Sequence, residues 1–273
     1  MSEPAELQRF RKEFPERVVR AGGLRWGVID SAAHTAGHSP PALLLLPGTM
    51  GTGEIYWQQF RALAGRLRLI AVSYPAVADV ARYADGAVRI LRQRGIARAS
   101  VLGSSLGGFT AQTIALRHPQ VVETLFIGNS LCDPRTSWRP KHPSLAEIEA
   151  TPAGTIRADR VARTDQWPRD DPGLALAQAV IGAQGRTRIS ARHLKARVLA
   201  LLRAEDLPPL PIPDSRIVII DCDDDPIMPP PVRKAVRARY PGAEAHALPS
   251  GGHFPYISRA EQYTAIIGRR LLG

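Results

Sequence analysis

Short, densely apolar runs recur along this chain, separated by stretches with helical spacing, and that alternation limits the possible folds more than any other feature. Ala42–Leu46 is apolar throughout and ends in Pro47-Gly48; Leu67–Ser73, Ala99–Gly103, Val122–Asn129 and Arg216–Asp221 follow the same pattern. Strands this apolar belong in a parallel sheet covered on both faces. Helical stretches over Glu54–Leu63, Asp79–Arg94, Leu106–Arg117, Pro231–Tyr240 and Arg259–Leu272 fall between or after them, and Ala243–Leu248 reads as a further strand. Strand and helix in alternation imply βαβ units with right-handed crossovers, hence an α/β fold with helices on both faces of a mostly parallel sheet. Ahead of it, Glu16–Ala21 and Leu24–Asp30 form a hairpin about Gly22-Gly23, and Ser31–Pro41 is a loop.

From Asp133 to Pro213 the pattern changes. Prolines are frequent, Trp138-Arg139-Pro140 reads as a turn, Pro172–Ile181 and Ser190–Arg203 are helix-prone, and no buried strand is apparent. The chain therefore divides into a core over 1–132, a helical insertion over 133–213 and a returning core over 214–273. A length of 273 residues with 44% hydrophobic and 22% charged residues suits one large α/β unit carrying an insertion. No repeat is visible.

Composition removes several classes of function. No segment approaches the roughly 20 apolar residues needed to span a bilayer. The first twenty residues mix Glu3, Glu6, Glu13 and Glu16 with arginines, unlike a leader peptide, so a cytoplasmic location is expected. Cys132 and Cys222 are far apart and outside any C-x-x-C, which indicates neither a disulfide framework nor a zinc site. The formal charge of +11 rests on dispersed arginines, the lysines being only Lys12, Lys141, Lys195 and Lys234. Solvated faces, not nucleic acid, are the expectation, although an electropositive entrance would favour acidic substrates.

Gly103-Ser104-Ser105-Leu106-Gly107 matches G-x-S-x-G where a strand turns directly into a helix, the setting of a nucleophile elbow. The turn is tight enough to require small residues around Ser105, and the helix that follows favours developing negative charge. A phosphate loop or simple close packing is the plain alternative. A serine hydroxyl needs a base, and the elbow predicts an acid and then a histidine further along the chain. Asp225 follows the strand Arg216–Asp221, and His253 lies in Gly251-Gly252-His253-Phe254-Pro255, before the last helix. Asp223, Asp224 and Asp133 remain alternatives for the acid, with Asp223 and Asp224 reading as solvated or capping residues. His34, His38, His118, His142, His193 and His246 read as surface or satisfied histidines.

An acyl-transfer site also needs two N–H donors for its oxyanion. Leu106 N–H, just after the nucleophile, is one. The other is expected in Gly48-Thr49-Met50-Gly51-Thr52-Gly53, with Thr49 first and Met50 next. That loop lacks Gly-Lys-Ser/Thr and does not complete G-x-G-x-x-G, which weakens a nucleotide-binding reading. Neither a metal nor an organic cofactor is called for. Trp138, Trp167 and the residues from Leu174 to Ile181 would line a substrate pocket or form the core of the insertion.

With these residues in place, the chain resembles the α/β-hydrolase superfamily over nearly its full length, and within it the maspardin-like branch. The motifs are Val72-Ser73-Tyr74-Pro75, Gly103-Ser104-Ser105-Leu106-Gly107-Gly108-Phe109 with Ala111-Gln112, Gly128-Asn129-Ser130, Tyr240-Pro241 and Gly251-Gly252-His253-Phe254-Pro255-Tyr256. The resemblance implies an eight-stranded, mostly parallel sheet, a cap after the sixth strand and a small-molecule ester-like substrate. Thioesters, amides and C–C bonds are alternatives on the same residues. Eukaryotic members of that branch resemble binding proteins that lack the base and acid, so a non-catalytic scaffold is the rival; this chain carries both groups. It departs from many hydrolases in lacking an Asp-x-x-Gly-x-Gly run after Ser73-Tyr74-Pro75.

Overall fold

In the computed structural model, which describes residues 4–35, 39–141 and 143–273, the apolar runs form the middle of an eight-stranded sheet. In chain order the first elements are α1 (Ala5–Glu13), β1 (Arg17–Ala21), β2 (Leu24–Asp30), β3 (Ala42–Leu46), α2 (Trp57–Leu63) and β4 (Arg68–Ser73). Then come α3 (Val80–Gln93), β5 (Ala99–Ser104), α4 (Leu106–Arg117) and β6 (Val122–Gly128). The helices α5 (Leu145–Ala150), α6 (Ala153–Asp165), α7 (Pro172–Ala183) and α8 (Ala191–Arg203) intervene before the sheet resumes. It resumes with β7 (Ile217–Cys222), α9 (Pro230–Arg239), β8 (Glu244–Leu248), α10 (Pro255–Ser258) and α11 (Ala260–Leu272).

The order across the sheet is β1-β2-β4-β3-β5-β6-β7-β8. β2 runs antiparallel to both neighbours, and every pair from β4 through β8 is parallel. Side-chain alternation sorts the core into two layers. Leu44, Leu46, Ile70, Val72, Ile217 and Ile219 enter one cluster, with side chains of α3, α4 and α9. Leu43, Leu45, Leu69, Ala71, Val218 and Ile220 enter the other, with side chains of α1, α2 and α11. Since both faces are covered, the period of two vanishes from the hydropathy pattern, and the strands read as unbroken apolar runs.

Local differences from the sequence-based expectation have physical reasons. α1 forms because Leu7 and Phe10 share a face, are buried, and with Phe14 pack against Phe60 of α2. The stretch expected to be helical from Glu54 begins as a 3-10 turn, Gly53–Tyr56, since the buried Glu54 carboxylate is held by Arg11 at 2.7 and 2.8 Å. α5 and α6 are helical despite the prolines: Ser144 and Glu147 form a capping box on α5, and Pro152 immediately precedes α6. Among the described residues no helix is long and apolar enough to cross a membrane. His38, His142 and the side chain of Trp138 lie outside the described residues.

Candidate active site

The turn from β5 into α4 places Ser105 at φ 57° and ψ −123°, a left-handed conformation that costs a non-glycine residue about 1–3 kcal/mol. Surrounding bonds hold it there: Ser105 N–H donates to Gly128 O at 2.9 Å, and Ser130 Oγ donates to Ser105 O at 2.7 Å. The flanking glycines are required by close approach. A Cβ on Gly103 would lie 2.0 Å from Gly107 O, and one on Gly107 would lie 2.0 Å from Leu46 O. The G-x-S-x-G spacing is thus the spacing at which strand, helix and the end of β3 touch. Leu106 begins α4, so its N–H is one of the helix's unpaired first-turn donors.

The loop after β3 passes directly over Ser105. A Cβ on Gly48 would stand 3.2 Å from Ser105 Cβ and 3.8 Å from its Oγ. The next peptides are fixed from several sides: Gly51 N–H donates to Gly48 O at 3.2 Å, and Thr52 N–H and Oγ1 donate to Gln184 Oε1 at 3.2 and 2.8 Å. Arg197 of α8 donates from Nη1 to Thr49 O at 3.1 Å and to Gly51 O at 2.6 Å. Arg197 is 2% exposed, so it acts on these carbonyls out of reach of bulk water. It also stands over the Tyr74 ring, 5.6 Å from the centroid. Nothing in the sequence order couples residue 197 to residue 49, and sequence reasoning missed it.

Of the three consecutive aspartates, Asp225 meets the histidine. Its Oδ2 lies 2.8 Å from His253 Nδ1 and accepts from Asn129 Nδ2 at 2.6 Å. Its Oδ1 accepts from Ile227 N–H at 2.7 Å and Met228 N–H at 3.0 Å. Burial raises the Asp225 pKa, but the charge and hydrogen bond of His253, with the bonds from Asn129 and Met228, outweigh it and leave the pKa lowered. Asp224 instead accepts from Gly251 N–H at 3.0 Å and Gly252 N–H at 2.9 Å, anchoring the loop that carries His253. Asp223 pairs with Arg233 at 2.8 Å. Asn129 was a second omission of sequence reasoning: its Nδ2 also donates to Gly252 O at 3.1 Å, joining the ends of β6 and β7 to the histidine loop.

A carboxylate on Nδ1 makes that nitrogen the protonated one, leaving Nε2 as the ring nitrogen free to exchange a proton. Ser105 Oγ and the imidazole make no direct hydrogen bond. Both line one cavity of about 1210 Å³, together with Gly48, Thr49 and Met50. α5 and α6 supply much of the opposite wall. Trp167 lines the cavity and packs on Phe254, ring centroids 5.0 Å apart, whereas Ala177, Val180 and Ile181 are core residues. Among the described residues no group of three or more His, Cys, Asp or Glu side chains is placed to hold a metal ion.

A strained serine between a parallel strand and a helix, with a histidine–carboxylate pair from later sheet ends, is the arrangement of one class of α/β protein. The chain belongs to the alpha/beta hydrolase family, whose model matches residues 43–266. It is 26% identical over 230 residues to maspardin of Danio rerio, spanning 82% of this chain and 72% of that protein. It is similar in fold to the enol-lactonase of Burkholderia xenovorans LB400, with a TM-score of 0.76 at 17% identity, covering 94% of this chain and 100% of that one. An esterase from Exiguobacterium antarcticum gives a TM-score of 0.75 at 18% identity, covering 94% and 99%.

Proposed function

We propose that this protein is a serine hydrolase acting on a carboxylic ester or closely related acyl bond, with Ser105 as nucleophile, His253 as general base and Asp225 as orienting acid. The observation that carries this reading is the buried Asp225–His253 contact of 2.8 Å on the wall of a cavity that Ser105 also lines. When substrate seats, Ser105 Oγ gives its proton to His253 Nε2 and attacks the carbonyl carbon. The resulting oxyanion is held by Leu106 N–H and a donor of the loop after β3, for which Thr49 N–H is assigned. The imidazolium returns the proton to the leaving alcohol as the C–O bond breaks. Water then repeats the cycle on the acyl-enzyme, releasing the acid. Residues 133–213 serve as the cap that shapes the substrate pocket.

The test is fluorophosphonate labelling together with hydrolysis of p-nitrophenyl esters. Wild-type protein is expected to label and turn over, and Ser105→Ala to do neither while keeping its circular dichroism spectrum. Labelling of Ser105→Ala refutes the nucleophile. Folded wild-type protein that neither labels nor turns over would favour the alternative raised by the maspardin likeness, a binding module.

A further inference from the structure

Arg160, on α6, lines the same cavity as Ser105 and His253. Unlike the other charged groups there, its guanidinium makes no hydrogen bond and no ion pair among the described residues. Its neighbours are committed elsewhere: Asp159 Oδ2 accepts from Arg163 Nε at 2.9 Å, and Glu147 Oε2 accepts from Ser144 N–H at 2.7 Å, capping α5. Burial, and then the like charge of Arg163, press the Arg160 pKa down, with Asp159 opposing. A half-buried cation held in no ion pair carries a desolvation cost that a bound anion would relieve.

We propose that Arg160 binds a carboxylate of the substrate, so that the preferred substrates are half-esters or lactones bearing a free carboxylate besides the scissile acyl bond. The chemistry favours a carboxylate over a phosphate. One planar guanidinium fork matches one carboxylate with two parallel hydrogen bonds. A dianionic phosphate would face the Glu147 and Asp159 carboxylates with a single unengaged cation to offset them. This rests on the serine-hydrolase reading, and it names the substrate class for that site.

The experiment compares kcat/KM for mono-p-nitrophenyl succinate, glutarate and adipate with that for uncharged p-nitrophenyl acyl esters of matched length. The wild-type protein should favour one half-ester by at least about 10-fold, the scale of a partly screened charge-assisted contact. In Arg160→Gln that ratio should collapse towards one, while Arg163→Gln, whose partner is Asp159, should keep it. A wild-type ratio near or below one, or a ratio that survives Arg160→Gln, overturns the proposal. If wild type hydrolyses none of the esters, the serine-hydrolase reading has failed, and Arg160 is judged on binding alone. Calorimetric titration with the free diacids should then show binding to wild type that Arg160→Gln loses; no binding to wild type, or equal binding to both, overturns the carboxylate site.

Discussion

Replacing Arg197 with methionine tests whether the inserted helices take part in the chemistry or only cover it. Because a peptide unit is planar, the bond from Arg197 to Thr49 O fixes the direction of Met50 N–H, and the bond from Gly51 N–H to Gly48 O fixes the unit that carries Thr49 N–H. Met50 N–H is therefore aimed by Arg197, and Thr49 N–H by a bond within the loop itself. Methionine would strand two buried carbonyl acceptors, costing about 1–3 kcal/mol each. It would also remove a buried cation with no carboxylate partner, whose desolvation is worth several kcal/mol in the opposite sense. The two effects oppose, so stability should change by no more than about 2 kcal/mol, too little to depopulate a domain stable by about 5–15 kcal/mol. Loss of an oxyanion donor elsewhere reduces kcat by about 10²–10³. Here the bonds between Gly51 and Gly48 and between Thr52 and Gln184 remain, so we expect about a 10- to 100-fold loss in kcat with KM little changed. Steady-state kinetics on a p-nitrophenyl ester, with urea unfolding of the same preparation, measures both. A kcat within twofold of wild type, or a loss fully explained by unfolded protein, refutes the positioning role.

Asp225→Asn should lower kcat by about 10³–10⁴, as loss of the acid does in other triads, because an amide cannot accept from both Asn129 Nδ2 and His253 Nδ1 while Ile227 and Met228 N–H occupy its other end. Its stability deficit should depend on pH with a defined sign. The Asp225 pKa is lowered in the folded state, so its stabilisation is fully present above the unfolded carboxylate value of about 3.9 and is lost as pH falls through the folded value. Urea midpoints of wild type and variant should converge below about pH 4; a constant difference down to pH 2 contradicts this. Gly107→Ala must displace backbone, since its Cβ would lie 2.0 Å from Leu46 O and 2.8 Å from Pro47 O. It should cost about 3 kcal/mol or more and abolish turnover. Gly154→Ala, with nothing within 4 Å, should be neutral or stabilising by up to about 1 kcal/mol; comparable melting shifts in the two would refute the close-approach account.

What the sequence discloses divides along physical lines. The central strands are legible because burial on both faces makes them apolar without interruption, and Ser105 because the glycines it needs are local to it. His253 is legible from chain order once a serine elbow is supposed. The choice among Asp223, Asp224 and Asp225 is not, since all three follow β7 and only the placement of Gly251-Gly252-His253 assigns Asp225 to the imidazole and Asp224 to the loop amides. Asn129 and Arg197 depend on contacts between residues 96 to 148 positions apart. Spacing carries no such information. α1 is different: Leu7, Phe10 and Phe14 have helical spacing and are buried, so this helix could have been read from the sequence.

The inserted helices do not all bear the same relation to the site. α8 contributes Leu199, Leu201 and Leu202 to the core and Arg197 to the loop after β3. α7 is fastened at its start by Asp171, which accepts from Arg259 at 2.8 and 3.1 Å. Moving either would break bonds to the loop after β3 or to Arg259, which also bonds the turn that follows β8. α5 and α6 are held differently, burying only Ile148 on the first and Ile156 and Thr164 on the second, yet they form the wall opposite Ser105. Segments with few buried apolar contacts open at lower free energy than core helices. Displacement of α5 and α6 therefore leaves the Arg197 bonds to the loop after β3 intact, whereas displacement of α8 would break them. The division also places Arg160 on one of the less deeply buried helices of the cavity wall.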